Sequence, residues 1–331
     1  MNRLSIIADV FLSCWLCAVE LLAAPPEVEQ ARQHVAQGQV TLRIVDSTGK
    51  PVQEAELSAA FWGSDSSVDV VVSDGRTDIH GLFVAAGETI HSMNYEIKKE
   101  GYYATRGQYW FLRQGEDCVQ AGRWQPWNPT NTVVLKERRN PIAMCAKRVD
   151  ASVPVRDTPV GFDLEVGDWL GPHGKGRQPD LLLSYKAKVQ DYWNGSLELT
   201  IACTNPMAGF VRAHKDMDSH FRSTYEAPSS GYQPEVRFAF VTTTDRDLKV
   251  EKLGDTEYLA FRVRTVLDDK GDIVSARYGK IYGPIEFGVG REHHIRFTYY
   301  LNLTPNDRNM EFDPARNLFT NLPPSQGVTE P

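Results

Sequence analysis

Along most of this chain apolar residues recur at every second position, in short runs that end in Gly, Pro, Asn or Asp. Val40, Leu42 and Ile44 form the first run, and Met93, Tyr95 and Ile97 a later one. Leu197, Leu199 and Ile201 repeat the pattern, as do Ile295, Phe297, Tyr299 and Leu301. A period of two puts successive side chains on opposite faces, so each run reads as a half-buried β-strand. No stretch sustains the period of about 3.6 residues that marks an amphipathic helix. The chain therefore reads as all-β, and 331 residues suit two β-sandwich-like domains in tandem, each burying its own core.

Turn residues divide the first half into strands. Asp46 to Pro51 is a turn, with Gly49 free to take positive φ and Pro51 ending the pairing. Strands are expected at 40–45, 55–62, 68–72, 92–98, 109–112 and 132–136, with Asp74–Phe83 reading as turn, strand, turn, strand and Glu100–Tyr102 as a turn. Short strands at such regular spacing make a sandwich. The expected sandwich covers 39–138, after a short helix or linker at 25–38.

The residues of this half resemble a carboxypeptidase regulatory-like domain, a transthyretin-like sandwich. Val45-Asp-Ser-Thr-Gly-Lys-Pro-Val52, then Ala55-Glu-Leu57, carry the start of the resemblance. Thr77-Asp-Ile-His-Gly-Leu-Phe83 stands where that family has T-D-x-x-G-x-F, and Lys99-Glu-Gly-Tyr102 and Val133-Val-Leu-Lys136 complete it. The resemblance implies a non-catalytic accessory module of the kind found beside enzymes, receptors and adhesins in exported bacterial proteins.

A stretch of little periodicity, 139–160, reads as a linker, and 161–322 as a second β-rich domain. Residues 161–180 open it and concentrate five glycines, two prolines, Trp169, His173, Lys175 and Arg177. Asp168 and Trp169 are expected to anchor this loop to the core, leaving His173, Lys175 and Arg177 exposed. Strands are expected at 181–189, 197–202, 236–243, 258–267, 273–282 and 294–303, with a hairpin turn at Asp268–Asp272. Residues 205–232 read as a long polar stretch, 306–322 as a surface segment and 323–331 as a disordered tail. This half resembles an uncharacterised domain that follows such sandwiches in exported bacterial proteins. The resemblance rests on Phe162-Asp-Leu-Glu-Val-Gly-Asp-Trp169, Gly174-Lys-Gly176, Leu303-Thr-Pro-Asn-Asp-Arg-Asn309 and Glu311-Phe-Asp-Pro314.

The address is read from the N-terminus. Residues 4–22 are mostly apolar, follow Arg3 and lead to Ala23-Ala24, the pattern of an export signal spanning 1–24. A periplasmic, cell-surface or extracellular location follows, with membrane contact only if the segment stays uncleaved. Beyond that signal stand Cys118, Cys145 and Cys203, too few for a disulfide scaffold. Cys118 and Cys145 can pair in an oxidising compartment or serve as small buried apolar residues. A net charge of −7 spread along the chain excludes a general nucleic-acid binder.

Motif spacing excludes several chemistries. A P-loop needs G-x-x-x-x-G-K-S/T, whereas Gly174-Lys175 is followed by Gly176. Pro172 and Pro179 break any helix that would cap a dinucleotide site. Neither G-x-S-x-G nor H-E-x-x-H occurs. His214, Asp216, Asp218 and His220 share one face if extended and can then hold a divalent ion, but they lie among turn residues. Carboxylates such as Asp163, Glu165 and Asp168 can pair as in a glycosidase, or make turns and caps. Trp124, Trp127 and Trp169 can stack on a sugar, or close the ends of a core. Asn194-Gly-Ser196 and Asn302-Leu-Thr304 are glycosylation sequons. The leading expectation is an exported, non-enzymatic structural or interaction protein that needs no cofactor, metal or catalytic residue. Its partner would be another exported protein or a polysaccharide. The ligand-contact candidates are Trp169, His173, Lys175, Arg177, Trp124 and Trp127. A carbohydrate-binding module and a hydrolase with its site in the second domain are the alternatives.

Overall fold

The computed structural model describes residues 26–28, 35–63, 71–112, 119–189, 195–242, 248–288 and 293–331. The fold is all-β, and helical turns are confined to 26–28, Pro314–Arg316 and Pro324–Gln326 among the described residues. Residues 1–25, where the export signal is expected, and Cys118 lie outside the described residues. The chain divides into two compact units. One holds the described residues of Met1–Val45, Pro51–Ile97 and Gly107–Val133, the other those of Asp46–Lys50, Lys98–Arg106 and Val134–Pro331.

In the first half, nine strands among the described residues form two sheets. They are β1 (Ala36–Asp46), β2 (Glu56–Phe61), β3 (Val71–Arg76), β4 (Leu82–Thr89), β5 (Ser92–Lys98), β6 (Thr105–Trp110), β7 (Val119–Gln120), β8 (Arg123–Trp124) and β9 (Thr130–Leu135). One sheet runs β4-β1-β8-β7 with β9 also on β1, and the other β3-β2-β5-β6. The alternation does what its period requires: Val40, Leu42 and Ile44 from one sheet and Leu57, Ala59, Phe61, Met93, Tyr95 and Ile97 from the other are buried. At the first turn, Asp46 Oδ1 accepts from the Thr48 and Lys50 amides while Gly49 takes φ 85°. Asp78 makes the same turn for β4, accepting from the His80 and Leu82 amides.

Eleven strands are found among the described residues of the second half. They are β10 (Cys145–Ser152), β11 (Val160–Asp163), β12 (Asp168–Trp169), β13 (Leu181–Val189), β14 (Gly195–Cys203), β15 (Gly209–His214), β16 (Glu235–Thr242), β17 (Leu248–Glu251), β18 (Glu257–Leu267), β19 (Ile273–Phe287) and β20 (His294–Asn302). A five-stranded sheet, β10-β20-β19-β18-β15, and a six-stranded sheet, β12-β11-β13-β14-β16-β17, contribute to one core. That core includes Phe162, Leu183, Tyr185, Leu199, Phe238, Phe261, Phe297 and Tyr299. At the hairpin between β18 and β19, Asp268 Oδ1 accepts from the Lys270 and Asp272 amides.

The structure departs from four expectations. The tail at 323–331, expected to be disordered, instead carries a helical turn at Pro324–Gln326 and packs Val328 against a second core. The stretch 139–160 contains β10, which pairs with β20 from Cys145↔Leu301 to Ser152↔His294. The polar stretch 205–232 contains β15, paired with β18. The segment 306–322 is not a surface drape, because Met310, Glu311 and Phe312 are buried. One cause explains the last departure. The five-stranded sheet is apolar on both faces: neighbouring Tyr299 and Tyr300 point oppositely, yet both are fully buried. The second face carries Ala146, Tyr258, Ala260, Tyr278, Tyr282 and Tyr300, and Met144, Ala227, Met310 and Phe312 pack on it. An uncovered face of that size would lose roughly 25 cal/mol for each Å² left in water.

Lys280 lies on this second face with its side chain fully buried. Its Nζ donates to Ser223 Oγ at 3.1 Å and Tyr282 Oη at 3.0 Å, and sits over the rings of Phe221, Tyr282 and Tyr300. Among the described residues no carboxylate reaches it within ion-pair distance. Burial holds its amine well below the usual lysine range, and the nearby Lys136 adds to the shift. The unfolded chain therefore binds a proton here that the folded chain gives up, so this residue lowers stability below about pH 10 and the penalty fades as pH rises. Lys280→Met keeps the apolar stem and removes the titration. Urea unfolding at pH 7 is expected to show the variant more stable by about 1 kcal/mol or more, with the gap narrowing at pH 9.5. A variant less stable than the parent at pH 7 would contradict this account.

Candidate functional site

The loop at 161–180 is built by its carboxylates. β11 turns back into β12, with Phe162 opposite Trp169 and Asp163 opposite Asp168. Asp163 Oδ1 accepts from the Glu165 and Val166 amides, and its Oδ2 from the Arg177 and Gln178 amides at 2.9 and 3.1 Å. Asp168 Oδ2 accepts from the Lys175 amide at 2.9 Å, and Asp180 Oδ2 from the Leu164 amide at 2.9 Å. Three acids thus satisfy backbone donors that a Gly- and Pro-rich segment cannot place in a ladder. The glycines serve close approach. A Cβ at Gly174 would stand 2.4 Å from the Trp169 carbonyl oxygen, and one at Gly176 would stand 2.8 Å from that of Asp168.

An arginine from the opposite sheet holds this loop. Between Val263 and Val266 the pairing of β18 with β19 slips by one residue, and Arg264 takes φ 52° there. Such a bulge re-aims a side chain. Arg264 donates from Nε to Asp180 Oδ1 at 2.7 Å, from Nη2 to Asp180 Oδ2 at 3.0 Å and to Asp163 Oδ1 at 3.1 Å. It also pairs with Glu165, which Arg277 meets at 2.7 Å. Burial works to raise Asp163, but the Arg177, Gln178 and Val166 amides and the Arg264 charge outweigh it and hold the carboxyl below its usual range. Glu165 is likewise held low, hydrogen bonds from Arg277 and Arg264 overcoming its burial. Asp180 is more deeply buried, and there burial wins and raises the carboxyl.

Of the six ligand-contact candidates, three share one exposed surface. His173, Lys175 and Arg177 are exposed on the loop, and their side chains have no partner among the described residues. Trp169 is buried, its ring edge-on to Phe162 with centroids 5.2 Å apart. Trp124 is fully buried and donates its indole N–H to the Thr89 carbonyl at 2.9 Å. Neither presents a face to a ligand, because each completes a core. Trp127 is 37% exposed, with the Arg123 guanidinium 4.8 Å from its ring.

The other constellations resolve into structural roles. Asp216 pairs with Lys136 at 3.0 Å and its Oδ1 accepts from the Asp218 and Ser219 amides. Among the described residues no group of three or more His, Cys, Asp or Glu side chains is disposed to hold a metal ion. Cys145 and Cys203 are free thiols, each pushed up to about 12 by burial. The sequon at Asn302 is buried: its Nδ2 donates to Asp307 and to the Asn309 carbonyl, and its Oδ1 accepts from the Thr304 amide. Sequence reasoning missed a cavity of about 450 Å³ on the second face of the five-stranded sheet, lined by Arg148, Lys215, Arg222 and Tyr300 among others. No local pattern marks it, since its residues are far apart in sequence and come from strands, loops and the C-terminal segment.

No protein-family model matches the chain, and no curated protein matches it significantly. Among solved structures it is similar to 3-chlorocatechol 1,2-dioxygenase from Rhodococcus opacus, at 14% identity and TM-score 0.24, over 32% of this chain and 61% of that one. It is also similar to the shaft pilin SpaA of Lactobacillus rhamnosus GG, at 12% identity and TM-score 0.21, over 82% of this chain and 94% of the pilin. The major pilin subunit BcpA of Bacillus cereus gives 11% identity and TM-score 0.22, over 79% and 95%. The dioxygenase match spans less than two thirds of that protein. Superpositions this loose transfer no function to the present chain.

Two variants test the loop. Arg264→Ala strands two buried carboxylates and is expected to cost about 3–5 kcal/mol in urea unfolding, whereas an unchanged midpoint would show the network to be dispensable. Asp163 and Glu165 are held low, so their contribution is present above about pH 4 and is lost as acid titrates them; Asp180, raised, acts with the opposite sign. Gly174→Ala is expected to displace the loop while leaving the sandwich folded. The readout is amide chemical shifts in 163–180, and shifts confined to residue 174 would refute the close-approach argument.

Proposed function

We propose that the protein is an exported, non-enzymatic interaction protein. In this reading its first domain is a carboxypeptidase regulatory-like module and the following domain, from 161 to 322, presents the binding loop. The observation that carries it is the state of the loop at 173–177. The backbone is held by Asp163 and Asp168, while Lys175 and Arg177 project with no partner of their own among the described residues. A pre-ordered backbone reduces the ordering cost of association, and two cationic side chains select an acidic surface. The partner favoured is another exported protein with an acidic patch; an acidic polysaccharide is the second occupant of the same chemistry.

The acids that a glycosidase would need support the non-enzymatic reading. Asp163 and Glu165 are engaged by amides and by Arg264 and Arg277, and Asp168 by loop amides. None stands ready to move a proton on a substrate. Trp124 and Trp169 are buried, which counts against these two as stacking platforms for a sugar.

Export is tested by the N-terminus of the protein recovered outside the cytoplasm, expected by mass spectrometry to begin after Ala23 or Ala24. Retention of Met1 in a cytoplasmic fraction would end the exported reading. The loop is tested by placing a photo-crosslinking residue at Lys175 in intact cells. One dominant adduct is expected, lost when Arg177→Glu reverses the neighbouring charge. Equal, diffuse labelling from position 175 and from the hairpin residue Lys270 would remove the loop as the contact surface.

A further inference from the structure

The cavity on the second face of the five-stranded sheet has a chemistry of its own. Strand pairing places Ala146 opposite Tyr300, Arg148 opposite Thr298 and Asp150 opposite Arg296. Residues two apart share a face, so Arg148, Tyr300 and Arg296 line one side of the sheet. Arg148, Lys215, Arg222 and Arg296 face the cavity, against Asp255, Glu286 and Glu330. Their existing bonds separate the four cations. Arg296 is held by Asp150 and Glu286. Lys215 donates to the Gly283 carbonyl at 2.5 Å and lies over the Tyr282 ring. Arg148 has no hydrogen-bonded partner among the described residues. Arg222 meets only Glu330, at 3.9 Å, beyond hydrogen-bond distance.

Two polar atoms beneath the cavity are unpartnered. Arg222 Nε and the Tyr300 hydroxyl are both buried without a hydrogen bond, and Tyr300 is fully buried. Buried donors without partners are costly and uncommon, and two beside one cavity describe an incomplete polar site. The charges of Arg148 and Arg222 both act on the Tyr300 hydroxyl, and so does that of Glu330. The segment from Gly327 to Glu330 forms one wall and brings a carboxylate to the rim without seating it on the donors.

We propose that this cavity binds a small organic carboxylate, which takes charge-assisted hydrogen bonds from Arg222 and Arg148 and one from the Tyr300 hydroxyl as it displaces the Glu330 carboxylate from the rim. The class of ligand follows from the donors. Guanidinium groups match a carboxylate in plane, and the Tyr282 ring offers an apolar wall to the body of the molecule. Glu330 is the competing group of the same chemistry.

Isothermal titration calorimetry at fixed ionic strength tests this, with succinate, citrate and inorganic phosphate as separate titrants on the full chain. Saturable binding of at least one carboxylate is expected. Arg222→Ala is expected to weaken it about tenfold or more. Tyr300→Phe keeps the ring and the fold and removes only the hydroxyl, and a loss of about threefold or more is expected. Glu330→Gln removes the competitor and is expected to tighten binding, and Lys270→Ala, on the exposed hairpin, to leave it unchanged. No saturable heat from either carboxylate up to about 10 mM would overturn the proposal. So would binding of phosphate alone, or carboxylate binding that both Arg222→Ala and Tyr300→Phe leave intact.

Discussion

One guanidinium organises the end of the second sandwich. Arg264 stands on a bulge of the five-stranded sheet and reaches Asp163, Glu165 and Asp180 of the six-stranded sheet and its loop. Removing Arg264, Asp163 and Asp180 from water is expensive, and their mutual attraction offsets that cost only when every lone pair and N–H is used. Here the amides of Leu164, Val166, Arg177 and Gln178 use the remaining lone pairs. The Gly- and Pro-rich composition of the loop is thereby explained. Its backbone must fold tightly enough to bring amides from 164 to 178 onto two carboxylates, and side chains at 174 and 176 would prevent it.

The second constraint is a sheet buried on both sides. The strand faces toward the main core follow the alternation expected of any sandwich. The opposite faces carry aromatics as well, so the chain must supply a cover, and it does so with irregular segments around 142–144, 223–227 and 309–312. Two deeply placed polar residues, Lys280 and Tyr300, sit under this cover. The cavity beside Arg222 lies on this same face.

Much of the fold was legible because period two is a direct consequence of strand geometry. β5 matches its expected span, and the Asp268–Asp272 hairpin and the Asp46 and Asp78 turns formed as their residues require. β10 was not legible: Cys-Ala-Lys-Arg-Val-Asp-Ala-Ser offers one large apolar residue, Val149, and shares that face among Cys145, Lys147 and Ala151. The covering role of Met310 and Phe312 was not legible either, because nothing in a single strand's pattern reveals that its outer face will be buried. Among candidate contacts, the exposure of His173, Lys175 and Arg177 followed from the loop's composition. Trp124 and Trp169 failed as platforms because a large aromatic beside strand residues gains more from a core than from solvent. Arg264 escaped notice since a bulge inverts the facing that alternation assigns.

The burial of Asn302 has a consequence for the chain's history. In a host that attaches glycans to Asn-x-Ser/Thr, this side chain is open only before β20 pairs and before the segment at 307–309 closes on it. A glycan there would bar the amide from Asp307 and Asn309 and hold the C-terminal segment off the sheet. Occupancy at Asn302 would therefore record the order of events during synthesis, with modified chains being those whose last strand was slow to dock.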